Sequence, residues 1–345
     1  MTEFANGADI SSLPEWEQAG MRYCEGGEPR DLLAILRQQG VNALRIKVWN
    51  EPGVADVFPA NQGHPLGFNN PDQVLALARR AHALGFRLML DFHYSDWWAD
   101  PAKQFMPRAW LGLPLAVVCQ RLYDFTHALL ARLAAEGIQA EWVQVGNEIT
   151  HGLLWPLGML PGHWPALAQL LRAGCAAVKA AQPQARTVLH LDAGGDGDLY
   201  GRWFAQAQAL GVDWDAIGLS FYPCWHGPQA ALADNLARLA ARYAKPLLVV
   251  ETAYPWRLDA ARNQHWLMQH TGAETYPASP AGQAAFLRDL RRLVQAVPNG
   301  LGQGLFYWEP AMGAKPGERF GVWQNVTLFD EGGEPLPGLA ALGGG

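Results

Sequence analysis

Two glutamates each end an apolar stretch that has the length of a β-strand. Glu148 closes residues 142–148, with Asn147 just before it, and Glu251 closes residues 247–251. A facing pair of carboxyl groups is suited to glycoside hydrolysis, in which one group stays protonated for the leaving oxygen and the other is ionised and attacks the anomeric carbon. Charge repulsion and unequal burial keep the two pKa values apart. We therefore take the two glutamates as the candidate catalytic pair.

Apolar runs alternate with longer helical patterns along the whole chain. The candidate strands are at 8–10, 43–49, 87–93, 142–148, 187–192, 216–222, 246–252 and 304–309. The candidate helices are at 30–39, 71–84, 114–135, 162–181, 199–210, 228–242 and 279–297. Near-continuous apolar strands with helices between them are typical of a parallel sheet covered by helices. We predict an α/β fold, a single (β/α)8 TIM barrel that forms one catalytic domain over residues 1–345.

The barrel explains how the two glutamates meet. Reacting groups in this fold project from the carboxyl ends of the strands, and strands four and seven face one another across the mouth. A single glutamate at a strand end is also typical of a structural ion pair, with Arg45 or His93 as a partner here. The presence of two glutamates on facing strands favours a catalytic role over a structural one. Further polar residues at the predicted strand ends are Asp9, Asp91, His190, Asp192, Ser220 and Glu309.

A doubly wound sheet is the structural alternative. That fold places a glycine-rich phosphate turn, GxGxxG, after its first strand. The glycine-rich segment at 194–197 follows the fifth candidate strand and lacks this spacing, so we interpret it as a loop.

Composition excludes several classes of partner. The 345 residues carry 26 basic and 32 acidic side chains, a net charge of −6, which does not suit a nucleic-acid backbone. No apolar run approaches the length of a membrane span. Fifteen tryptophans, many beside loop-forming residues, indicate a binding surface instead.

At these residues the sequence resembles glycoside hydrolase family 53, the endo-β-1,4-galactanases, and the resemblance extends from residue 7 to about residue 330. The most specific segments are GADISS at 7–12 and DFHYSDWWADP at 91–101. The other matching segments are LRIKVW at 44–49, VGNE at 145–148, HLD at 190–192, SFYP at 220–223, VETAYPW at 250–256 and FYWEP at 306–310.

The resemblance implies an enzyme that cuts β-1,4-galactan, the side chain of type I arabinogalactan in pectin, with net retention. Glu148 is the implied acid/base and Glu251 the implied nucleophile. The implied sugar-binding residues are Arg45, His93, Asn147 and Tyr222, with Trp308 as the floor under the sugar ring. Trp98 and Trp256 are expected to be further sugar platforms, with loop packing as the alternative. We expect a monomer whose partner is galactan, with neither nucleic acid nor membrane as a partner.

The resemblance also implies a secreted or periplasmic enzyme, although residues 1–5 lack the basic and apolar segments of a signal peptide. No cofactor is expected to be required. Bacterial family members often bind a structural calcium through an acidic loop after strand seven. The corresponding segment here, 257–265, has one carboxylate and two arginines, so we expect no metal, although Thr327 and Asp330 match the second half of such a site.

Three other functions remain open from the sequence. Another retaining β-glycanase or a β-galactosidase of the same clan would use the same pair of glutamates. A carbohydrate-binding barrel without turnover would keep the fold and the aromatic residues. A metal-dependent hydrolase would use His93, His151 and His190, but the sequence lacks an HxH or HExxH motif.

Overall fold

Eight parallel strands close into a barrel. The computed structural model describes residues 3–53, 67–272, 275–318 and 321–345. The strands, numbered β1 to β8 in chain order, are Ala5–Asp9, Ala43–Val48, Arg87–Phe92, Trp142–Val145, Arg186–Leu191, Ala216–Ser220, Leu247–Thr252 and Gly302–Tyr307. Each strand pairs with its neighbours in the chain, and β1 pairs with β8 to close the ring. The predicted α/β barrel is confirmed.

Helices follow the strands in the pattern of repeated strand–helix units. Numbered α1 to α8, they are Leu32–Gln38, Pro71–Ala83, Leu115–Ala135, Trp164–Ala181, Gly197–Ala209, Gln229–Tyr243, Pro280–Gln295 and Pro337–Gly343. The last of these, a seven-residue helix rich in Gly, Ala and Leu, was absent from the predicted set. Two short helices, Leu13–Gln18 after β1 and Pro223–His226 after β6, were also not predicted. Over the described ranges, none of the helices combines the length and the apolarity that a membrane crossing requires.

The first turn of α2 shows how local sequence fixes a helix start. Pro71 occupies the first turn, where its missing N–H costs no hydrogen bond. The Oδ1 atom of Asn70 accepts hydrogen bonds from the backbone N–H groups of Asp72 and Gln73 at 2.9 and 3.0 Å. This cap sets where the chain turns back along the barrel.

The amino-terminal end of the barrel interior is filled with apolar side chains. The Trp142 indole meets the Phe306 ring edge to face, with 5.9 Å between ring centroids. Gly7 is required beside them, because a Cβ atom there would lie 2.1 Å from the Phe306 ring. Ala5 and Ala43 complete the packing at the start of β1 and β2. Because this end is closed, the polar groups inside the barrel are concentrated toward the opposite mouth.

Candidate active site

A cleft of about 450 Å³ lies at the carboxyl ends of the barrel strands. It is lined by both candidate glutamates and by five of the predicted sugar-binding residues, His93, Trp98, Asn147, Tyr222 and Trp308. Residues 192, 225, 226 and 323 also line it. Barrel closure therefore brings together side chains from six different strand ends, as the sequence analysis expected.

Glu148 reaches the cleft through a sharp bend after β4. The strand stops at Val145 rather than at residue 148 as predicted, because Gly146 and Glu148 both have positive φ angles, 93° and 47°. The left-handed backbone at Glu148 is strained for a residue with a side chain. Its Oε1 accepts a 2.6 Å hydrogen bond from the hydroxyl of Ser220. Burial, followed by the charges of Glu251 and Asp192, holds the pKa of Glu148 well above its usual value.

Glu251 lies in β7 and has a cation beside it. Its Oε1 is 2.8 Å from Nη2 of Arg45, and its Oε2 accepts a 3.0 Å hydrogen bond from the hydroxyl of Tyr222. Burial raises the pKa of Glu251, and the positive charge of Arg45 opposes that rise. Both contacts favour the ionised carboxylate.

The two carboxyl groups therefore have different electrostatic surroundings. Both have carboxylates among their charged neighbours, but only Glu251 also has a guanidinium beside it and a hydroxyl donor on its second oxygen. A negative charge on Glu251 further favours the proton on Glu148. The arrangement supports a protonated Glu148 and an ionised Glu251 in the same cleft, which is the state that acid-assisted nucleophilic attack requires.

Arg45 lies behind the glutamates instead of facing the sugar, which corrects the prediction that it contacts substrate. Its side chain is 1% exposed and does not line the cleft. It pairs with Asp9 at 2.7 Å and with Asp91 at 2.9 Å, and it donates to Oδ1 of Asn147 at 2.8 Å. A guanidinium satisfied by several fixed acceptors is a rigid support for the catalytic groups.

His93 and Asn147 are both held by bonds to the protein. Nδ1 of His93 accepts from the backbone N–H of Ala99 at 2.9 Å, and its Nε2 lies 3.0 Å from the Asp91 carboxylate. These contacts assign the proton to Nε2 and leave the ring carbons to face the cleft. The amide Nδ2 of Asn147 donates to the Ala99 carbonyl at 2.8 Å and carries a second N–H, which suits a sugar hydroxyl.

Aromatic rings form the walls of the cleft. The rings of Trp98 and Trp308 lie 5.6 Å apart, and Trp308 packs edge to face against Trp323 at 4.6 Å. On another side of the cleft, Trp225 packs against Tyr222 at 5.1 Å and is 50% exposed. Sugar rings present apolar C–H faces, so such walls bind them while polar groups select the orientation.

Comparisons with known proteins identify the family of the chain. The family model described as Glycosyl hydrolase family 53 matches residues 5–342. The chain belongs to this family. An arabinogalactan endo-beta-1,4-galactanase of Humicola insolens is 35% identical over 97% of this chain and 98% of its own length. An endo-beta-1,4-galactanase of Bacillus subtilis (strain 168) is 32% identical over 98% of this chain and 85% of its own length.

A solved structure, the GH53 catalytic domain of Ignisphaera aggregans, is similar in fold as well as in sequence. It is 36% identical, its TM-score is 0.88, and the similarity covers 99% of this chain and 95% of that one. The recognition of the family from motifs at the strand ends is thus confirmed, and this family 53 protein is a glycoside hydrolase.

Trp256 of this family 53 hydrolase does not line the cleft, and its contacts agree with loop packing, the alternative to a sugar platform. Its indole Nε1 donates to the carbonyl oxygen of Gln324 at 3.2 Å, and the guanidinium of Arg257 lies 4.5 Å from its ring centroid. The tryptophan therefore packs between the loops that follow β7 and β8. Trp98 follows β3 in an equally aromatic segment, but its side chain lines the cleft.

The loop after β7, where related proteins were expected to hold a calcium ion, forms ion pairs through its arginines here. Arg257 and Arg262 pair with Glu331 at 2.6 and 3.3 Å, and Arg262 also lies 3.5 Å from Asp259. Oδ1 of Asp330 accepts backbone N–H groups of its own turn. Arginine cations thus occupy the acidic groups that a calcium ion would need, so these residues do not fit it. Across the described ranges, no cluster of three or more His, Cys, Asp or Glu side chains is arranged for a metal ion.

A hydrogen-bonded chain behind Glu148 was not assigned from the sequence. Nε2 of His190 lies 2.8 Å from the Ser220 hydroxyl, which donates to Glu148, and Nδ1 of His190 lies 2.8 Å from the side-chain amide of Gln144. Burial holds the pKa of His190 well below its usual value, so the ring is neutral. With both ring nitrogens engaged, His190 and His93 are unsuited to bind the metal of the alternative hydrolase mechanism. Their strand-end positions and the matching family segments around them were the sequence signals.

A second buried ion pair supports the tryptophan wall and was also missed. Nζ of Lys47 lies 3.0 Å from Oε1 of Glu309 and 3.8 Å from the centroid of the Trp98 ring. The Ser12 hydroxyl donates to the same Glu309 oxygen at 2.8 Å. Burial raises the pKa of Glu309 to about 7, against the charge of Lys47. The ammonium lies behind the sugar-facing indole and fixes its place.

Proposed function

We propose that this family 53 hydrolase is an endo-β-1,4-galactanase that acts on galactan and type I arabinogalactan by double displacement with retention. The observation that carries the proposal is the pair of glutamates in one cleft, with a cation beside Glu251 and carboxylates near Glu148. The names of the Humicola insolens and Bacillus subtilis relatives support the substrate.

In the first step, the ionised carboxylate of Glu251 attacks the anomeric carbon. Glu148 donates its proton to the glycosidic oxygen as the bond to the leaving sugar breaks, and the sugar is left as an ester on Glu251. Arg45 and the Tyr222 hydroxyl hold the attacking carboxylate in place. Asn147, which Arg45 also holds, is placed to bind the hydroxyl next to the reacting carbon.

In the second step, Glu148 accepts a proton from a water molecule, which attacks the anomeric carbon and breaks the ester. Two inversions give net retention, and both carboxyl groups return to their starting states. We propose that His93, Trp98, Tyr222 and Trp308 bind the sugar during both steps. Because side chains supply both the acid and the nucleophile, the proposed scheme uses no cofactor.

Hydrolysis of linear β-1,4-galactan tests the proposal. We expect a ladder of oligosaccharides at early times, with the β-anomer formed first in the proton NMR spectrum, and much weaker hydrolysis of mannan, xylan and cellulose. Early release of galactose alone would identify a β-galactosidase, and preference for another polymer would identify a different β-glycanase. Release of the α-anomer first would contradict double displacement.

Location and assembly complete the proposal. A polysaccharide does not cross a membrane, so we propose that the enzyme acts outside the cytoplasm, as a secreted or periplasmic monomer. Cell fractionation and light scattering of the purified protein test these two points.

A further inference from the structure

A second pocket adjoins the catalytic cleft and is not used in the proposed mechanism. It is an open depression of about 600 Å³ between the loop that follows β5 and the first half of α6. Trp225 and His226 line both this pocket and the cleft. The half-exposed indole of Trp225 therefore connects the two. We call this depression the Trp225 pocket.

The wall of the pocket formed by the loop after β5 is held in a fixed position. A Cβ atom on Gly194 would lie 2.7 Å from the Ser220 carbonyl oxygen, and one on Gly195 would lie 2.2 Å from that of His226. These glycines let the loop pack directly on the segment after β6. The side-chain amide of Asn235 also donates to the Gly194 carbonyl at 2.8 Å. This is the glycine-rich segment that the sequence showed without a phosphate-binding spacing.

A buried acceptor in this pocket is unused. Asn235 lines the pocket and is 1% exposed, and its Oδ1 has no hydrogen-bond partner within the described part of the chain. An unsatisfied buried carbonyl oxygen costs free energy unless a donor reaches it, directly or through a water. Protein atoms cover this oxygen, so a donor on a sugar reaches it only after neighbouring side chains move.

The charge of the pocket selects among saccharides. Its lining contains the carboxylates of Asp196, Asp198 and Asp234 but only one guanidinium, that of Arg238. Arg238 is already paired with Asp198 at 3.0 Å. Carboxylates accept hydrogen bonds from hydroxyl groups and repel other anions. The pocket therefore suits a neutral sugar and disfavours a uronic acid.

The position of Glu148 indicates the direction in which a bound polysaccharide runs through the cleft. The acid must lie beside the oxygen of the leaving sugar, and Glu148 is bonded to Ser220 at the end of β6. Asp192, which follows β5, lines the same part of the cleft. The leaving fragment thus lies toward β5 and β6, where Trp225 and its pocket are found.

We propose that the Trp225 pocket binds neutral sugar units on the leaving-group side of the cleaved bond. Trp225 supports a sugar ring where the polysaccharide leaves the cleft. The pocket beyond Trp225 holds the next sugar unit or a neutral branch by hydrogen bonds to carboxylates. This inference rests on the proposed glycanase function and adds to it a preference for long, uncharged leaving fragments.

Blocking the pocket tests this inference. In Ala231→Trp a large ring fills the pocket from α6, and in Ala241→Trp the same ring is placed on the exposed side of the same helix as a matched control. Each variant is assayed on nitrophenyl β-galactobioside, which has no leaving-side sugar, and on long linear β-1,4-galacto-oligosaccharides. We expect the ratio of kcat/KM for the long substrate to that for the short one to fall about threefold to tenfold in Ala231→Trp, the size of one or two lost hydrogen bonds. Ala241→Trp should keep the wild-type ratio.

The outcomes separate the two proposals. A wild-type ratio in a folded Ala231→Trp protein, or a parallel loss on both substrates, would overturn the pocket assignment while leaving the galactanase proposal intact. Failure of wild-type enzyme on galactan would instead refute the proposed substrate, and the ratio would then be measured with oligosaccharides of the polymer that it does cleave.

Charge provides an independent test. A galacturonic acid unit at the leaving end should lower kcat/KM relative to the neutral oligosaccharide, and Asp234→Lys should reduce this discrimination by at least about threefold because it replaces repulsion with attraction. Equal discrimination in the variant and the wild type would also contradict the assignment.

Discussion

Single residues near Glu251 support the proposal that this carboxylate attacks while Glu148 donates a proton. Arg45 is tied to Asp9 and Asp91, and the orientation of its guanidinium is therefore fixed before substrate arrives. Its pairing with Glu251 favours the ionised form of the proposed nucleophile and fixes the orientation of that carboxylate. Charge that is already in place needs no rearrangement during the reaction. Such preorganisation is a usual source of large rate effects.

Removal of the nucleophile gives the most direct test at this scale. We expect Glu251→Ala to lower galactan hydrolysis by several orders of magnitude without unfolding the protein, because the carboxylate that forms the proposed ester is removed. Azide should enter the vacated space and restore part of the activity toward an activated aryl galactoside, yielding a glycosyl azide of inverted configuration.

Glu331→Ala is the control for this experiment, since Glu331 lies on the surface beside Arg257. It should retain wild-type turnover. Near-normal hydrolysis by Glu251→Ala, or a lack of any azide product, would show that another group is the nucleophile.

The hydroxyl of Ser220 gives a prediction for pH dependence. In the proposed mechanism Glu148 must be protonated, so activity should fall on the alkaline side as this group ionises. The Ser220 hydrogen bond favours the ionised form of Glu148 and lowers its pKa. Ser220→Ala removes that bond, and the pKa of Glu148 rises further. We therefore expect the alkaline limb of the kcat/KM profile to move to higher pH, while the acid limb, set by Glu251, changes less.

Thr187→Val is a matched control, because Thr187 also donates its hydroxyl to a carboxylate, that of Asp215, but lies at the other end of the barrel. Its pH profile should equal that of the wild type. An alkaline limb that stays in place or moves to lower pH in Ser220→Ala would contradict the assigned role of Glu148.

At the scale of elements, the position of Glu148 depends on how closely α4 packs against β4. A Cβ atom on Gly174 of α4 would lie 2.4 Å from a methyl group of Val145, the last residue of the strand. Gly174 therefore allows the helix to approach the strand whose end carries the acid. This contact links helix packing to catalytic geometry.

An alanine at this position should disturb both stability and activity. We expect Gly174→Ala to lower the free energy of unfolding by about 1–3 kcal/mol through overpacking, which exceeds the helix-propensity gain of about 1 kcal/mol. It should also lower kcat, because the end of β4 shifts. Denaturant unfolding and initial rates measure the two effects.

Gly201→Ala in α5 is the matched control. The nearest atom to a Cβ there is 3.8 Å away, in ordinary contact, so this variant should gain about 0.5–1 kcal/mol and keep full activity. Equal stability changes in the two variants would indicate that the packing of α4 on β4 is not tight.

The strands and helices were predictable where residues close together in the sequence determine them. Apolar runs such as Leu247–Thr252 can only be buried strands between helices, so the eight units and the two glutamates at their ends followed from pattern. The pairing of Lys47 with Glu309 did not, because these residues are 262 positions apart and meet only when the barrel closes. Trp98 and Trp256 also look alike locally, and only the course of their loops separates them.

At the scale of the whole molecule, ion pairs connect the loop after β7 to the carboxy-terminal part of the chain. Arg257 and Arg262 both contact Glu331 there. These groups are partly exposed, and such pairs contribute little individually, so the fold depends mainly on the closed barrel and its buried core. The barrel was predictable because eight strand–helix units are the number that closes a TIM barrel. The connection between these distant loops was not predictable from the sequence.

Removal of divalent ions tests this account of the loop. We expect the temperature of thermal unfolding to change by less than about 1 °C between excess EDTA and added calcium, because a ligand that does not bind the native state cannot stabilise it. Calorimetry in both conditions measures the shift. A rise that saturates with calcium concentration would show that the arginine pairs do not replace a metal ion.

The indoles of the cleft have a practical consequence. Trp98, Trp225 and Trp308 are placed on its walls, one of them half exposed and one with an ammonium at 3.8 Å from its ring. A saccharide that covers these rings changes their polarity and their contact with water, so the unlabelled protein reports its own occupancy through ultraviolet emission. Replacing each indole in turn with phenylalanine would then assign the optical signal to one wall, and with it the order in which a polymer fills the cleft.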